Sequence, residues 1–577
     1  MVDVGPLVEP QPFEAAGEKA AVPVRAAERA TARAPGRLAR VAAAVVPAAV
    51  MLAVGLWGVD RGGMWRDEAV TFQVARRGVP DIWRLLHSVD AVHGLYYLLM
   101  HAVLAVRADE VFLRLPSVCA AAATAALVGT LGARLASPRV GLWAGLLYAV
   151  TPMAGHYAQE GRSYALVAAG ATGATLLFTR AVRTGSWRSY GLLLGLACWL
   201  HEFAVLLLLA HAVSLVLVRA DRRVWRGWAC AAGAVVLALL PMVLVSRTQS
   251  AQLAWLGPPT WRTAEGLLRA FLGSGTAVHR TCFLLALLGL AGLAAPRGRL
   301  TLARVCLPLA AVPPAALMLA SQLSPLYVDR YVLYSLSGAP LLVAAGADTA
   351  VRLVRRHGRR WLRARGRVAM AVGSALGALR RRRSPLAADT APAARRRVPL
   401  VAALGVGVIA LALLHQLPLL RADRNPANRA DDLALVAQVA AKKVRPGDPV
   451  LFLPAQARNA ALAYPQDFRG IRDVALTAPV AGSGTLYGEE AGPALLRARL
   501  ARLDRVWVVI DRDLVEGRWS PAGPAERAKI ALLGEDFVPV EESMGPYSSL
   551  RLYVRKGEVS EVPGIPPVPL PPHPVPR

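Results

Sequence analysis

VAAAVVPAAVMLAVGLWGVDRGGMWRDE, residues Val41–Glu68, sets a long apolar run directly before an acidic pair. The run, from about residue 40 to 59, is long enough to cross a hydrocarbon core of about 30 Å as a helix. Asp67 and Glu68 then stand at its mouth, where ionisable side chains are costly to hold and mark function. Asp81, Asp90 and His93 follow before the next apolar run opens at Leu95. A loop that gathers carboxylates and an imidazole at a membrane surface points to chemistry there.

The rest of the chain fits a membrane setting. It has 577 residues, 55% of them hydrophobic, and a mean hydropathy of +0.40. Soluble domains sit nearer 45–50% apolar. Apolar runs recur at 40–59, 93–107, 112–133, 139–156, 163–180, 189–218, 227–246, 281–295, 301–321, 331–350 and 398–418. The expected fold class is an all-α polytopic membrane protein of about 11–12 spans, with a C-terminal α/β domain.

The net charge of +29 comes from 67 Lys+Arg against 38 Asp+Glu. Nucleic-acid binding is one reading of so basic a chain. The arginines, however, cluster between apolar runs, as the positive-inside rule predicts, and no nucleic-acid partner is expected. The five cysteines, Cys119, Cys198, Cys230, Cys282 and Cys306, lie in or beside apolar runs without metal spacing and read as core residues.

Arginine placement orients the spans. Arg180, Arg183 and Arg188 precede 189–218, and Arg219, Arg222, Arg223 and Arg226 follow it. Both flanks read as cytoplasmic, so this stretch should be two short helices with an apex near His201-Glu202. The stretch 112–133 ends on Arg134, which should lie inside. Segment 93–107 is then either short or re-entrant, or Arg134 and Arg139 lie outside. Residues 352–397 hold 15 Arg and one acid, Asp389, and read as a cytoplasmic loop.

The expected divisions are a disordered cytoplasmic tail (1–39), a transmembrane catalytic module (40–350), an Arg-rich loop (351–397), a last membrane helix (398–420), an extracytoplasmic α/β domain (421–556) and a Pro-rich tail (557–577). In the α/β domain, helix is predicted over 431–443 and near 524–533. Strands are predicted at 450–453, 505–511, 537–541 and 549–555.

The unusual polar residues fall in four loops on one expected face. They are Asp67, Glu68, Asp90 and His93; then His156, Gln159, Glu160, Arg162 and Tyr164; then His201-Glu202; then Asp329-Arg330-Tyr331. A carboxylate suits a general base for an acceptor hydroxyl. Arg162 and Arg330 suit a phosphate or pyrophosphate leaving group.

The order Trp65-x-Asp67-Glu68, Asp90-x-x-His93 before Leu95-Tyr96-Tyr97-Leu98-Leu99, Gln159-Glu160-x-Arg162-Ser163-Tyr164-Ala165, and Arg330-Tyr331 resembles the GT-C glycosyltransferases. These are membrane enzymes related to protein O-mannosyltransferases and lipid A aminoarabinose transferases. The resemblance covers about residues 40–350. It implies a polyprenyl-phosphate sugar donor, transfer outside the plasma membrane, and a glycan, lipid or protein acceptor. It implies Asp67 as catalytic base, with Glu68 supporting the acceptor or orienting Asp67. Arg162, Arg330, Tyr164 and Glu160 would hold the donor phosphate, and Asp90, His93 and His201 would support the site. Some relatives bind a divalent metal, for which this sequence shows no strong ligand spacing. The family's His-Pro-Pro is His93-Gly94-Leu95 here.

Simpler readings stand beside these. Asp67 and Glu68 suit a helix N-terminus. Asp90 with His93, and His201 with Glu202, suit local hydrogen-bonded turns. His101, His211 and His415 suit packed helix positions. As a whole, the chain could instead be a transporter or flippase, although transporters carry mid-membrane charges and related halves. A non-catalytic surface-binding protein is a third reading.

Overall fold

The computed structural model describes residues 21–377, 393–429, 431–521, 523–545 and 547–557. Residues 1–20 of the expected tail, 378–392 of the Arg-rich loop and 558–577 of the Pro-rich tail lie outside the described residues.

The membrane module is helical throughout. In chain order its helices are α1 Ala21–Leu56, α2 Arg66–Ala75, α3 Val79–Leu86, α4 Gly94–Val106, α5 Glu110–Leu135, α6 Pro138–Ala149, α7 Pro152–Ala158 and α8 Tyr164–Thr184. There follow α9 Arg188–Leu200, α10 Leu207–Val218, α11 Arg222–Thr248, α12 Trp261–Leu272, α13 Thr276–Gly289, α14 Leu302–Ala320, α15 Gly338–Gly377 and α16 Ala393–Asp423. Seven helices among the described residues are long and apolar enough to cross a membrane. The protein is a multi-pass membrane protein.

Several expected spans are broken, each for a visible reason. The 139–156 run splits at Val150-Thr151 because the residue before Pro152 is pushed out of helical geometry. The 189–218 run is two short helices, α9 and α10, joined by a 3-10 turn at Glu202–Leu206, as the flanking arginines imply. Helix α4 has 13 residues, a rise of about 20 Å, short of a crossing. Arg134 shares one groove with Arg37 and Arg40, so the far end of α5 lies beside the start of the first span. That placement favours the short or re-entrant reading of 93–107. The expected tail and loop are also partly helical: α1 begins at Ala21, and α15 runs on to Gly377. Ala- and Arg-rich sequence has high helix propensity and extends both helices beyond their apolar parts.

The α1–α5–α6 core is close-packed. A Cβ on Gly129 of α5 would come within 1.8 Å of the Ala43 carbonyl of α1, so only glycine allows this approach. Asp109 caps α5 by accepting from the Phe112 amide at 2.9 Å, and Ser137 caps α6.

The C-terminal domain is α/β. It adds α17 Leu433–Lys443, β1 Pro449–Leu453, α18 Asn459–Ala463, β2 Arg472–Asp473, β3 Leu476–Ala478, β4 Glu489–Glu490, α19 Pro493–Leu500, β5 Arg505–Asp511, α20 Arg512–Val515, α21 Pro524–Asp536, β6 Phe537–Met544 and β7 Ser548–Arg555. Its main sheet has the order β2-β1-β5-β7-β6. β1 runs parallel to β2 and β5, and β7 runs antiparallel to β5 and β6. The run Val506–Ile510 is buried on both faces, as expected for a central strand with a parallel neighbour.

Candidate active site

Helix α2 starts one residue after Trp65 and places Asp67 and Glu68 in its first turn, where the helix dipole favours acids. Successive helical residues point about 100° apart, so the two carboxylates part ways. The Asp67 side chain is 30% exposed, whereas Glu68 is fully buried.

Glu68 is held from three sides. Arg114 of α5, itself fully buried, donates from Nε to Oε1 and from Nη2 to Oε2, both at 2.9 Å. The Gly161 amide donates to Oε1 at 2.9 Å, and Arg429 lies 3.8 Å from Oε2. Burial alone would raise the Glu68 carboxyl, but the Arg114 and Arg429 guanidiniums and these hydrogen bonds overcome it and hold it at about 2. Arg114 also donates to the carbonyls of Val59 at 2.9 Å and Gly63 at 3.0 Å. Glu68 therefore locks the first loop onto α5. Of the two expected roles, supporting the acceptor and orienting Asp67, the first finds both Glu68 oxygens already engaged inside the protein.

The two expected arginines converge on Asp67. Arg330 Nη2 lies 3.3 Å from Asp67 Oδ2, and its guanidinium sits over the rings of Trp65, Tyr164 and Tyr331 at 5.5, 5.7 and 5.9 Å. Arg162 donates to the Asp67 carbonyl at 3.3 Å, to Thr71 Oγ1 at 3.2 Å and to His93 Nε2 at 2.6 Å. Accepting there, His93 carries its proton on Nδ1. The His201 ring lies 5.8 Å from that of His93, 5.6 Å from Tyr164 and 4.7 Å from Tyr331.

This cluster holds buried polar atoms without partners: Nε of Arg162 and Arg330, Nδ1 of His93 and His201, and Oε2 of Glu160. Four are nitrogens beside an aromatic wall, which suits an anionic group with an apolar tail. Burial pushes the Glu160 carboxyl up to about 7, with His156 and Arg330 pulling down and the Asp67 and Glu68 charges pushing up. No group of three or more His, Cys, Asp or Glu able to hold a metal occurs among the described residues.

Of the two expected local pairings, one forms through the backbone and one rearranges. Asp90, in left-handed geometry at φ 57°, forms the expected turn with His93 through the backbone, the His93 amide donating to the Asp90 carbonyl at 2.9 Å, while the side chains part: Asp90 accepts from Tyr97 Oη at 2.7 Å and His93 faces Arg162. Burial raises the Asp90 carboxyl, with the Arg162 charge and Tyr97 hydrogen bond opposing it. Glu202 accepts from Ser246 at 2.7 Å, away from His201. His211 bonds Tyr190 and Thr175 within the helix packing.

The C-terminal domain grips the same loop. Asp432 accepts from the Gly63 amide at 3.2 Å, and Tyr464 Oη accepts from the Met64 amide at 2.7 Å. A Cβ on Gly63 would meet Asp432 Oδ1 at 2.3 Å. On one side of α2, Ala460 and Ala463 of α18 share a core with Ala69 and Phe72. On another, Leu486 packs into the cluster of Val70, Val74, Ile82, Leu85 and Tyr97. The strap around Leu486 is bound through its carbonyls: Leu486 by Gln73 at 2.9 Å, Thr485 by Arg77 at 2.8 Å and Gly482 by Arg84 at 2.7 Å. At its base, Arg458 donates to the Tyr487 carbonyl at 2.8 Å. Burial pushes the Tyr487 hydroxyl up to about 12, aided by the Asp90 and Asp67 charges.

Sequence reading missed Arg114 and the C-terminal residues that hold the first loop and α2. One signal for Arg114 existed: an arginine inside the apolar start of a span requires a buried acid.

Residues 94–245 match the family model described as dolichyl-phosphate-mannose-protein mannosyltransferase. That segment holds Glu160, Arg162, Tyr164 and His201, and Asp67 lies outside it. In fold, the chain is similar to ArnT from Cupriavidus metallidurans bound to undecaprenyl phosphate, with 14% identity and a TM-score of 0.51 over 88% of this chain and 97% of that one. The same protein in the apo state gives 13% identity and a TM-score of 0.54 over the same shares. No curated protein matches the chain by sequence. The chain thus shares the GT-C fold, and its residues 94–245 are similar to the mannosyltransferase family.

Proposed function

We propose that the chain moves a single, mannose-like sugar from a polyprenyl-phosphate donor to an acceptor hydroxyl on a glycan, lipid or protein. The site and the C-terminal domain would face outward from the plasma membrane. The observation that carries this reading is the meeting of Asp67 with Arg330 at 3.3 Å, beside the unpartnered Nε atoms of Arg162 and Arg330. A base for the acceptor thus adjoins a cradle for the leaving phosphate. The matched family and the fold neighbour are named for dolichyl-phosphate and undecaprenyl phosphate, and both names support a lipid-linked donor.

Asp67 takes the hydroxyl proton on a carboxylate oxygen as the acceptor oxygen attacks the anomeric carbon. The bond from that carbon to the phosphate oxygen breaks, and the polyprenyl phosphate leaves with the electron pair. Arg162 and Arg330 stabilise the charge that develops on it. Donor binding draws Arg330 towards the phosphate and frees Asp67 Oδ2. A single displacement inverts the anomeric centre. Tyr164 and Tyr331 wall the sugar, and Glu160, when neutral, donates to a phosphate oxygen. Asp90, His93 and His201 act by holding Tyr97, Arg162 and the aromatic wall in place.

The test is sugar transfer in membranes holding the wild type or Asp67→Asn. They are supplied with radiolabelled polyprenyl-phosphate mannose, then glucose, then arabinose. Transfer should fall by about 100-fold or more in a variant that remains folded. Undiminished transfer would remove Asp67 as base, and a product of retained configuration would refute the single displacement.

A further inference from the structure

Helices α1, α5 and α8 each have one end at the catalytic site: α1 leads into the Val59 carbonyl that Arg114 binds, α5 carries Arg114, and α8 begins at Tyr164. Gly36–Leu56 and Tyr164–Thr184 are each 21 residues, about 30 Å, the thickness of a hydrocarbon core. Their other ends therefore reach the opposite membrane surface. There they border an open groove of about 760 Å³ lined by the exposed Arg37, Arg40, Arg134, Arg180 and Arg183, with Val41, Ala44 and Ala133 as apolar wall.

No carboxylate lines this groove, and none of the five arginines forms an ion pair with an acid among the described residues. The contrast is local, since Arg139, five residues past Arg134, does pair with Asp348. The positive-inside rule accounts for arginines on this side. It does not account for five converging from three helices on one concavity, where like charges repel unless an anion lies among them. Guanidiniums bind phosphate oxygens in pairs, and the apolar wall suits the first carbons of acyl chains.

We infer that this groove binds the phosphate headgroup of an anionic phospholipid from the leaflet opposite the catalytic site. The ligand chemistry is a phosphodiester at the membrane interface, held by Arg134, Arg180 and Arg183 against Arg37 and Arg40. Bound there, the lipid ties together the far ends of the three helices that build the site.

The test uses the full-length protein in nanodiscs of phosphatidylcholine carrying a minor fraction of phosphatidylglycerol or cardiolipin, with retained lipid counted by native mass spectrometry. The wild type should keep anionic lipid through delipidation. The triple variant Arg134→Gln/Arg180→Gln/Arg183→Gln should hold it about 100-fold more weakly, as expected for three basic side chains near a lipid surface. Arg223→Gln/Arg226→Gln, exposed on α11 at the same membrane surface, should bind like the wild type. Equal loss in both variants would reduce the groove to part of a generally basic face, and no loss in the triple variant would refute the site. Displacement of the lipid by inorganic phosphate alone would refute it as a lipid site.

Discussion

The sharpest test of the site's construction is Glu68, because two roles for it make opposite forecasts. Were Glu68 acting on substrate, Glu68→Gln would lower turnover and leave stability unchanged. The structure makes it the buried partner of Arg114, so the amide leaves a guanidinium charged in the interior without its counter-ion. Its carboxyl sits at about 2 instead of 4.5, and each tenfold in proton affinity is about 1.4 kcal/mol, so the pairing contributes about 3 kcal/mol. That agrees with about 3–5 kcal/mol for breaking buried pairs elsewhere. The sign follows from linkage: the folded value lies below the unfolded one, so the contribution is complete above about pH 4.5 and is lost as pH falls towards 2. Thermal unfolding in detergent at pH 7, beside sugar transfer, reads the effect. Glu68→Gln and Arg114→Met should each lower thermal stability together with transfer. Glu68→Leu/Arg114→Leu should lose about 3 kcal/mol less than the sum of its singles. Loss of transfer in Glu68→Gln at wild-type stability, or additive singles, would refute the reasoning.

Arg162→Lys keeps the charge but loses the fork that reaches Asp67, Thr71 and His93 together; donor KM should rise and kcat should fall, about 10–100-fold combined. Glu160 is neutral below about pH 7 and ionised above it, and its ionised form repels the donor phosphate. Donor KM should therefore climb by up to about tenfold per pH unit above 7 in the wild type and stay flat in Glu160→Gln. Leu486→Asp places a charge among Val70, Val74 and Tyr97; it should release the strap, exposing the 479–488 segment to proteolysis and cutting transfer, and Leu486→Met should restore both.

The residues of the candidate site were legible where their cost was visible. Asp67 stands out as an acid at the end of an apolar run, and Arg162 as a positive charge on the face where arginines are scarce. Glu68 and Arg114 were not legible as partners because 46 positions separate them. Each read alone suggests surface chemistry or an anchor, and only packing reveals that they neutralise each other. Helix breaks were harder still: Pro152 announces one, but the shortness of α4 follows from Asp90 and Asp109 bracketing it at one membrane surface. Strand Arg505–Asp511 was plain from its continuous apolar run. The strap 479–488 has no such pattern, since it holds its place through backbone carbonyls that any sequence carries.

Those carbonyl contacts also put the enzyme's assembly on a clock. The hydrogen bonds that seat α2 and the loop before it join residues 365 to 413 positions apart in the chain. At about 5–20 residues per second, a ribosome needs about 20–80 s to make that stretch. For that interval the nascent protein carries Asp67 on a helix whose flanking supports do not yet exist. The full set of supports exists only when synthesis has passed the Leu486 strap, so a chain stalled or cleaved before the strap would sit in the membrane with Asp67 on an unsupported helix.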